Sequence, residues 1–108
     1  MQDGLYKVDF RTPLGQGVGV VALDNGKLRG GDSSMFYVGA YSQNGDSFSA
    51  SVTVGTHSHV PGMGSVLGVS QGQMTLEGKS VGDSAVLNGR SPQAPGVAFS
   101  ATLTALAL

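Results

Sequence analysis

A chain of 108 residues, 40% apolar and 12% charged, is enough for one packed domain over 1–108 and too apolar for a disordered polymer. Six basic against seven acidic residues leave a net charge of −1 with no run of either sign, which argues against nucleic acid or an anionic membrane as partner. The absence of cysteine excludes disulfides, thiolate nucleophiles and thiolate metal sites, and 18 glycines disfavour long helices.

Taken in order, the first element is an alternating stretch. Tyr6, Val8 and Phe10 share one face and Lys7, Asp9 and Arg11 the other, until Thr12-Pro13 ends the run. A second strand is expected over 16–24. Its Gly17-Val18-Gly19-Val20-Val21-Ala22 matches a dinucleotide-binding fingerprint, but Asp24-Asn25-Gly26 follows too soon for the helix that such a fingerprint must open. Those glycines read instead as places of close backbone packing in a strand. Short strands then follow over 27–30 and 36–42.

The clearest strand spans 46–54, where Phe48, Ala50 and Val52 alternate with serines. Residues 55–70 read as an irregular crossing. Beyond it, Met74 and Leu76 alternate with polar residues in a strand over 72–79, a short strand spans 84–88, and Phe99, Ala101 and Leu103 mark one face of a last strand over 97–106. Asn25-Gly26, Asn44-Gly45 and Asn88-Gly89 supply turns. The fold expected is therefore all-β, a small up-and-down antiparallel barrel of about eight strands, with a two-sheet sandwich as the alternative. Gly-Asp-Ser recurs at residues 31, 45 and 82 with unequal spacing, which reads as repeated turn chemistry rather than a structural repeat.

Three further patterns carry chemistry elsewhere. Gly68-Val69-Ser70-Gln71-Gly72 has the form of a nucleophile elbow, but both histidines precede Ser70 and no helix follows, so a glycine-bounded loop fits better and no catalytic residue is assigned. His57 and His59 are spaced to face one side of a strand, as two metal ligands would, but two ligands do not make a site and no third is placed; no metal or cofactor is expected. Pro92-Gln93-Ala94-Pro95 resembles a polyproline ligand and reads as a rigid loop.

Asp3-Gly4-Leu5-Tyr6, Asp24-Asn25-Gly26-Lys27-Leu28-Arg29-Gly30-Gly31-Asp32 and Tyr37-Val38-Gly39, in that order and spacing, resemble the GrlR-like family of negative regulators of bacterial type III secretion. The resemblance covers the first half of the chain. It implies a lipocalin-related, dimeric bacterial barrel with an apolar cavity, acting through protein contact. A cytoplasmic location is expected because no apolar run reaches ~18 residues and Met1-Gln2-Asp3-Gly4 lacks the basic and apolar regions of a signal peptide, and no enzyme is expected because no catalytic set is found. In that family an acidic hairpin loop meets a transcriptional activator; the matching loop is Gln43-Asn44-Gly45-Asp46, where only Asp46 is charged, so a different protein partner is expected.

The alternative function is carriage of a small, lipid-like apolar ligand. Ala50, Gly78 and Ala101 among larger inward residues leave an interior with spare room. Self-association is also expected. In Met35-Phe36-Tyr37-Val38-Gly39-Ala40-Tyr41 both faces are apolar, so one must remain outside; the expectation places Met35, Tyr37 and Tyr41 there, in a homodimer interface.

Overall fold

The computed structural model describes residues 1–58 and 71–108. The described residues form eight antiparallel strands and no helix: β1 Gly4–Thr12, β2 Gly15–Asp24, β3 Lys27–Gly31, β4 Met35–Asn44, β5 Ser47–Thr56, β6 Gln71–Val81, β7 Ser84–Arg90 and β8 Phe99–Ala107. Each strand pairs with the next in sequence, and β8 returns to β1, closing an up-and-down barrel. Closure gives every described strand a partner on both sides, the arrangement that removes the edges of an open sheet.

Local chemistry explains the sharp corners at one end. Asn25 and Gly26 between β2 and β3, Gly45 between β4 and β5, and Gly82 between β6 and β7 all have positive φ, the conformation that tight hairpins need. Two of the three Gly-Asp-Ser copies are therefore hairpin turns. The third lies between β3 and β4, where the Asp32 carboxylate accepts hydrogen bonds from the backbone N–H groups of Ser34 (2.9 Å) and Met35 (2.8 Å), holding a short turn without a positive φ. Asn88-Gly89, expected as a turn, lies instead within β7, where Gly89 leaves room for the Leu76 side chain: a Cβ there would fall 2.5 Å from it.

The period of two puts apolar side chains inside and polar ones outside. Tyr6, Val21, Leu23, Phe48, Met74, Leu87 and Leu103 are buried, while Lys7, Arg11, Lys27, Arg29, Glu77, Lys79 and Arg90 are exposed. Large apolar side chains are also exposed on the outside, among them Leu5, Val18, Phe36, Val38 and Val86. No helix among the described residues is long and apolar enough to cross a membrane.

The two ends of the barrel differ. At the tight-turn end, Tyr41 and Phe48 stack with ring centroids 5.4 Å apart, the Tyr41 hydroxyl donates to Asp3 Oδ1 at 3.1 Å, and Asn25 N–H donates to Asp3 Oδ2 at 3.2 Å. The Tyr6 hydroxyl donates to the Gln2 carbonyl, so residues 2 and 3 lie across this end and satisfy its polar groups. The opposite end carries the turns at 13–14 and 32–34, the longer connection 91–98, the end of β5 and the start of β6.

Candidate binding cavity

Inside the barrel, toward the end with the longer connections, lies a space of about 150 Å³. Its wall is built strand by strand from inward positions: Val8 and Phe10 of β1, Val21 of β2, Leu28 of β3, Met35 and Tyr37 of β4, Val52 and Val54 of β5, Met74 and Leu76 of β6, Leu87 of β7, and Phe99, Ala101 and Leu103 of β8. Polar groups come from the rim, at Gln16, Asp32, Ser33 and Ser34. Among the described residues of this lining, Gln16, Val18 and Ser33 are exposed, at the rim.

Glycine makes room for the aromatic side of the wall. A Cβ on Gly17 would fall 2.7 Å from the Phe10 ring, and one on Gly19 would fall 2.9 Å from the Tyr37 ring, closer than carbon atoms approach. The two glycines of the fingerprint-like stretch thus let Phe10 and Tyr37 lie against β2. Phe10 meets Tyr37 edge-on (6.2 Å, 87°) and stacks on Phe99 (6.0 Å, 16°), which fixes three rings on one flank of the cavity. Ala101 sits in register between Phe10 and Leu87, all three pointing inward, and its small side chain leaves part of the interior open.

Among the described residues, the ionisable pair on the cavity is Tyr37 with Asp32. The Tyr37 hydroxyl donates to Asp32 Oδ2, while Oδ1 takes the two backbone N–H groups of the turn. Burial, and then the adjacent carboxylate, push the Tyr37 hydroxyl well above its ordinary pKa, so it stays a protonated donor. His57, just past the end of β5, fastens the same turn. Its Nε2 lies 2.9 Å from the Asp32 carbonyl, which can only accept, so Nε2 donates there, and Nδ1 lies 2.8 Å from Ser58 Oγ. His57 N–H also donates to the Ser34 carbonyl at 2.9 Å.

The interior residues expected from sequence all sit inside the barrel. Val8, Phe10, Val52, Met74, Leu76, Phe99, Ala101 and Leu103 line the cavity, whereas Tyr6, Phe48 and Ala50 pack toward the tight-turn end. The expected dimer-interface residues require correction. Met35 and Tyr37 are 7% and 9% exposed and belong to the cavity wall, and Tyr41 packs against the core; Phe36 and Val38, at 38% and 46%, face outward instead. The face is the reverse of the one expected because both faces of β4 are apolar.

The loop Gln43-Asn44-Gly45-Asp46 is a tight hairpin. Gln43 is tied to Ser80 and to the Gly45 carbonyl, the Ser80 N–H donates to the Asp46 carbonyl at 2.8 Å, and the exposed Asp46 carboxylate pairs with Lys79 at 3.4 Å. Its single charge is thus already matched within the chain.

Among the described residues no three His, Asp or Glu side chains converge as a metal site would need, and His59, Ser70 and most of the 55–70 crossing lie outside those residues. The Pro92-to-Pro95 stretch is a turn in which Ala94 N–H and Val97 N–H donate to the Ser91 and Ala94 carbonyls, and the Gln93 side chain accepts from Gln73 N–H at 2.8 Å. Asp32 and Tyr37 were not legible as site residues. No family model and no curated protein matches the chain.

Proposed function

We propose that this protein is a non-catalytic binding protein that takes a small apolar ligand into the barrel. The observation that supports this reading is the space of about 150 Å³ enclosed by aliphatic, methionine and aromatic side chains with polar atoms confined to one rim. A closely packed core contains few voids larger than a water molecule, and an apolar space of this size holds a benzene-sized guest. The ligand is therefore a six- to ten-atom ring or short chain, smaller than the fatty acid or phospholipid that a lipid-like ligand first brings to mind. Thermal melting with and without toluene at millimolar concentration tests the reading. Wild type is expected to gain several degrees and Ala101→Leu, which takes up part of the space, to gain clearly less; equal shifts in both proteins would place any binding elsewhere.

A second reading, protein contact, rests on a different observation. Outside the barrel, Val20 of β2 and Phe36 of β4 lie in register on either side of Gly31, and Val38 continues the row. All three are at least 38% exposed and form a contiguous apolar strip across neighbouring strands, the setting in which contact surfaces arise. We propose that a second copy of this chain meets that strip in the cytoplasm, in keeping with the dimeric type III secretion regulators that the sequence resembles. Sedimentation equilibrium at micromolar concentration is expected to give a dimer mass for wild type and a monomer mass for Phe36→Ser with Val38→Ser. A wild-type monomer would overturn it.

A further inference from the structure

Resting on the cavity reading above, we infer that the ligand carries a hydroxyl or amine hydrogen-bond donor that is recognised by Asp32, and that ligands with a carboxylate head are rejected.

The Asp32 carboxylate offers about four lone-pair sites on two oxygens. Oδ1 uses two of them, for Ser34 N–H and Met35 N–H. Oδ2 takes the Tyr37 hydroxyl. Among the described residues, one acceptor site on Oδ2 is therefore open. Asp32 is half-buried and lines the cavity beside Tyr37, at the boundary between the apolar wall and the rim.

The Tyr37 hydroxyl itself cannot serve a ligand as donor, because its single proton is committed to Asp32. The chemistry presented to the interior at this point is thus negative and accepting. A ligand hydroxyl or amine completes the carboxylate's shell, and hydrogen bonds to an ionised group are the stronger kind. A ligand carboxylate would put like charges together in a partly desolvated place.

The geometry is held independently of any ligand. Two backbone donors and one tyrosine fix the carboxylate, and His57 holds the same residue by its backbone carbonyl. Tyr37 is in turn held by the Phe10 edge contact and by the absence of a Cβ on Gly19. A preorganised acceptor of this kind discriminates between head groups without a cost of reordering.

Three probes of one ring size separate head group from ring: benzyl alcohol, toluene and benzoate, titrated by calorimetry into wild type, Asp32→Asn and Tyr37→Phe. Wild type is expected to bind benzyl alcohol about tenfold more tightly than toluene, with benzoate weakest. In Asp32→Asn the amide oxygen still accepts the two turn N–H groups while its NH2 becomes a donor, so benzoate gains on benzyl alcohol. Tyr37→Phe frees a second acceptor site on Oδ2, and benzyl alcohol binds at least as tightly as before. Equal affinities for toluene and benzyl alcohol in all three proteins would overturn the Asp32 inference and leave the cavity reading standing. Binding of none of the probes to wild type would overturn both.

Discussion

Replacing Ala101 with leucine gives opposite results for a barrel with a usable interior space and for one that is packed solid. Ala101 is 3% exposed, lines the cavity, and lies between Phe10 and Leu87 in the strand register. The substitution adds three carbon atoms. At about 0.8 kcal/mol for each buried methylene, less roughly 0.5–1 kcal/mol for fixing the leucine rotamer, the filled cavity stabilises the fold by about 1.5 kcal/mol. For a domain of this size that is a rise in melting temperature of about 6–12 °C. In a close-packed core the same atoms would force neighbours off their rotamers and cost about 1–3 kcal/mol. Ala85 supplies the internal control, because it is 1% exposed on β7 but is not part of the cavity wall. Ala85→Leu is therefore expected to lower the urea midpoint while Ala101→Leu raises it. A fall in both variants would refute the reasoning that the interior has room for a guest.

Leu87→Ala removes a fully buried side chain from the centre of the barrel and is expected to cost about 2–5 kcal/mol by urea denaturation, with part of that loss recovered when toluene is added. Gly39→Ala would place a Cβ 2.1 Å from the Ser51 carbonyl oxygen and push β4 from β5, a loss of about 1–3 kcal/mol, whereas Gly96→Ala meets nothing and leaves the urea midpoint unchanged. All three tyrosines are held above their ordinary pKa, with burial the first cause in each; Asp83 adds to it for Tyr6, Asp32 for Tyr37 and Asp3 for Tyr41. A raised folded pKa contributes stability that is complete below the unfolded value of about 10 and is lost as pH rises beyond it, so the urea midpoint is expected to fall above pH 10, and tyrosinate absorbance to appear at higher pH in folded than in unfolded protein.

The barrel was legible because its strands obey a period of two and its corners carry residues that tolerate positive φ. The alternation of Phe48, Ala50 and Val52 with serine is enough by itself to say which face of β5 is inside. The orientation of β4 was obscured because Phe36 and Val38 are as apolar as Met35 and Tyr37. The tight Gly45-Asp46 turn held the missing signal: it pairs Asn44 with Ser47, which places Tyr41 opposite Ala50 and Tyr37 opposite Val54, and residues opposite one another share a face. The Tyr37–Asp32 pair was less accessible. Asp32 reads as a turn residue, which it is through Oδ1, and the second oxygen is bound by Tyr37 because the β3–β4 turn brings that inward-facing residue, five positions on, back against it. Gly17 and Gly19 read as sites of close approach, but the rings they accommodate come from β1 and β4 and are known only from the register and the packing.

The claim that the barrel interior is the binding site is tested most directly by the methionine methyl groups. Met35 and Met74 line the cavity, whereas Met1 lies at the opposite end beside Gln43. With the methionine methyls labelled with carbon-13, titration of benzyl alcohol is expected to move the Met35 and Met74 resonances together along one saturable curve and to leave Met1 in place. Saturable binding that leaves Met35 and Met74 unshifted would contradict the account.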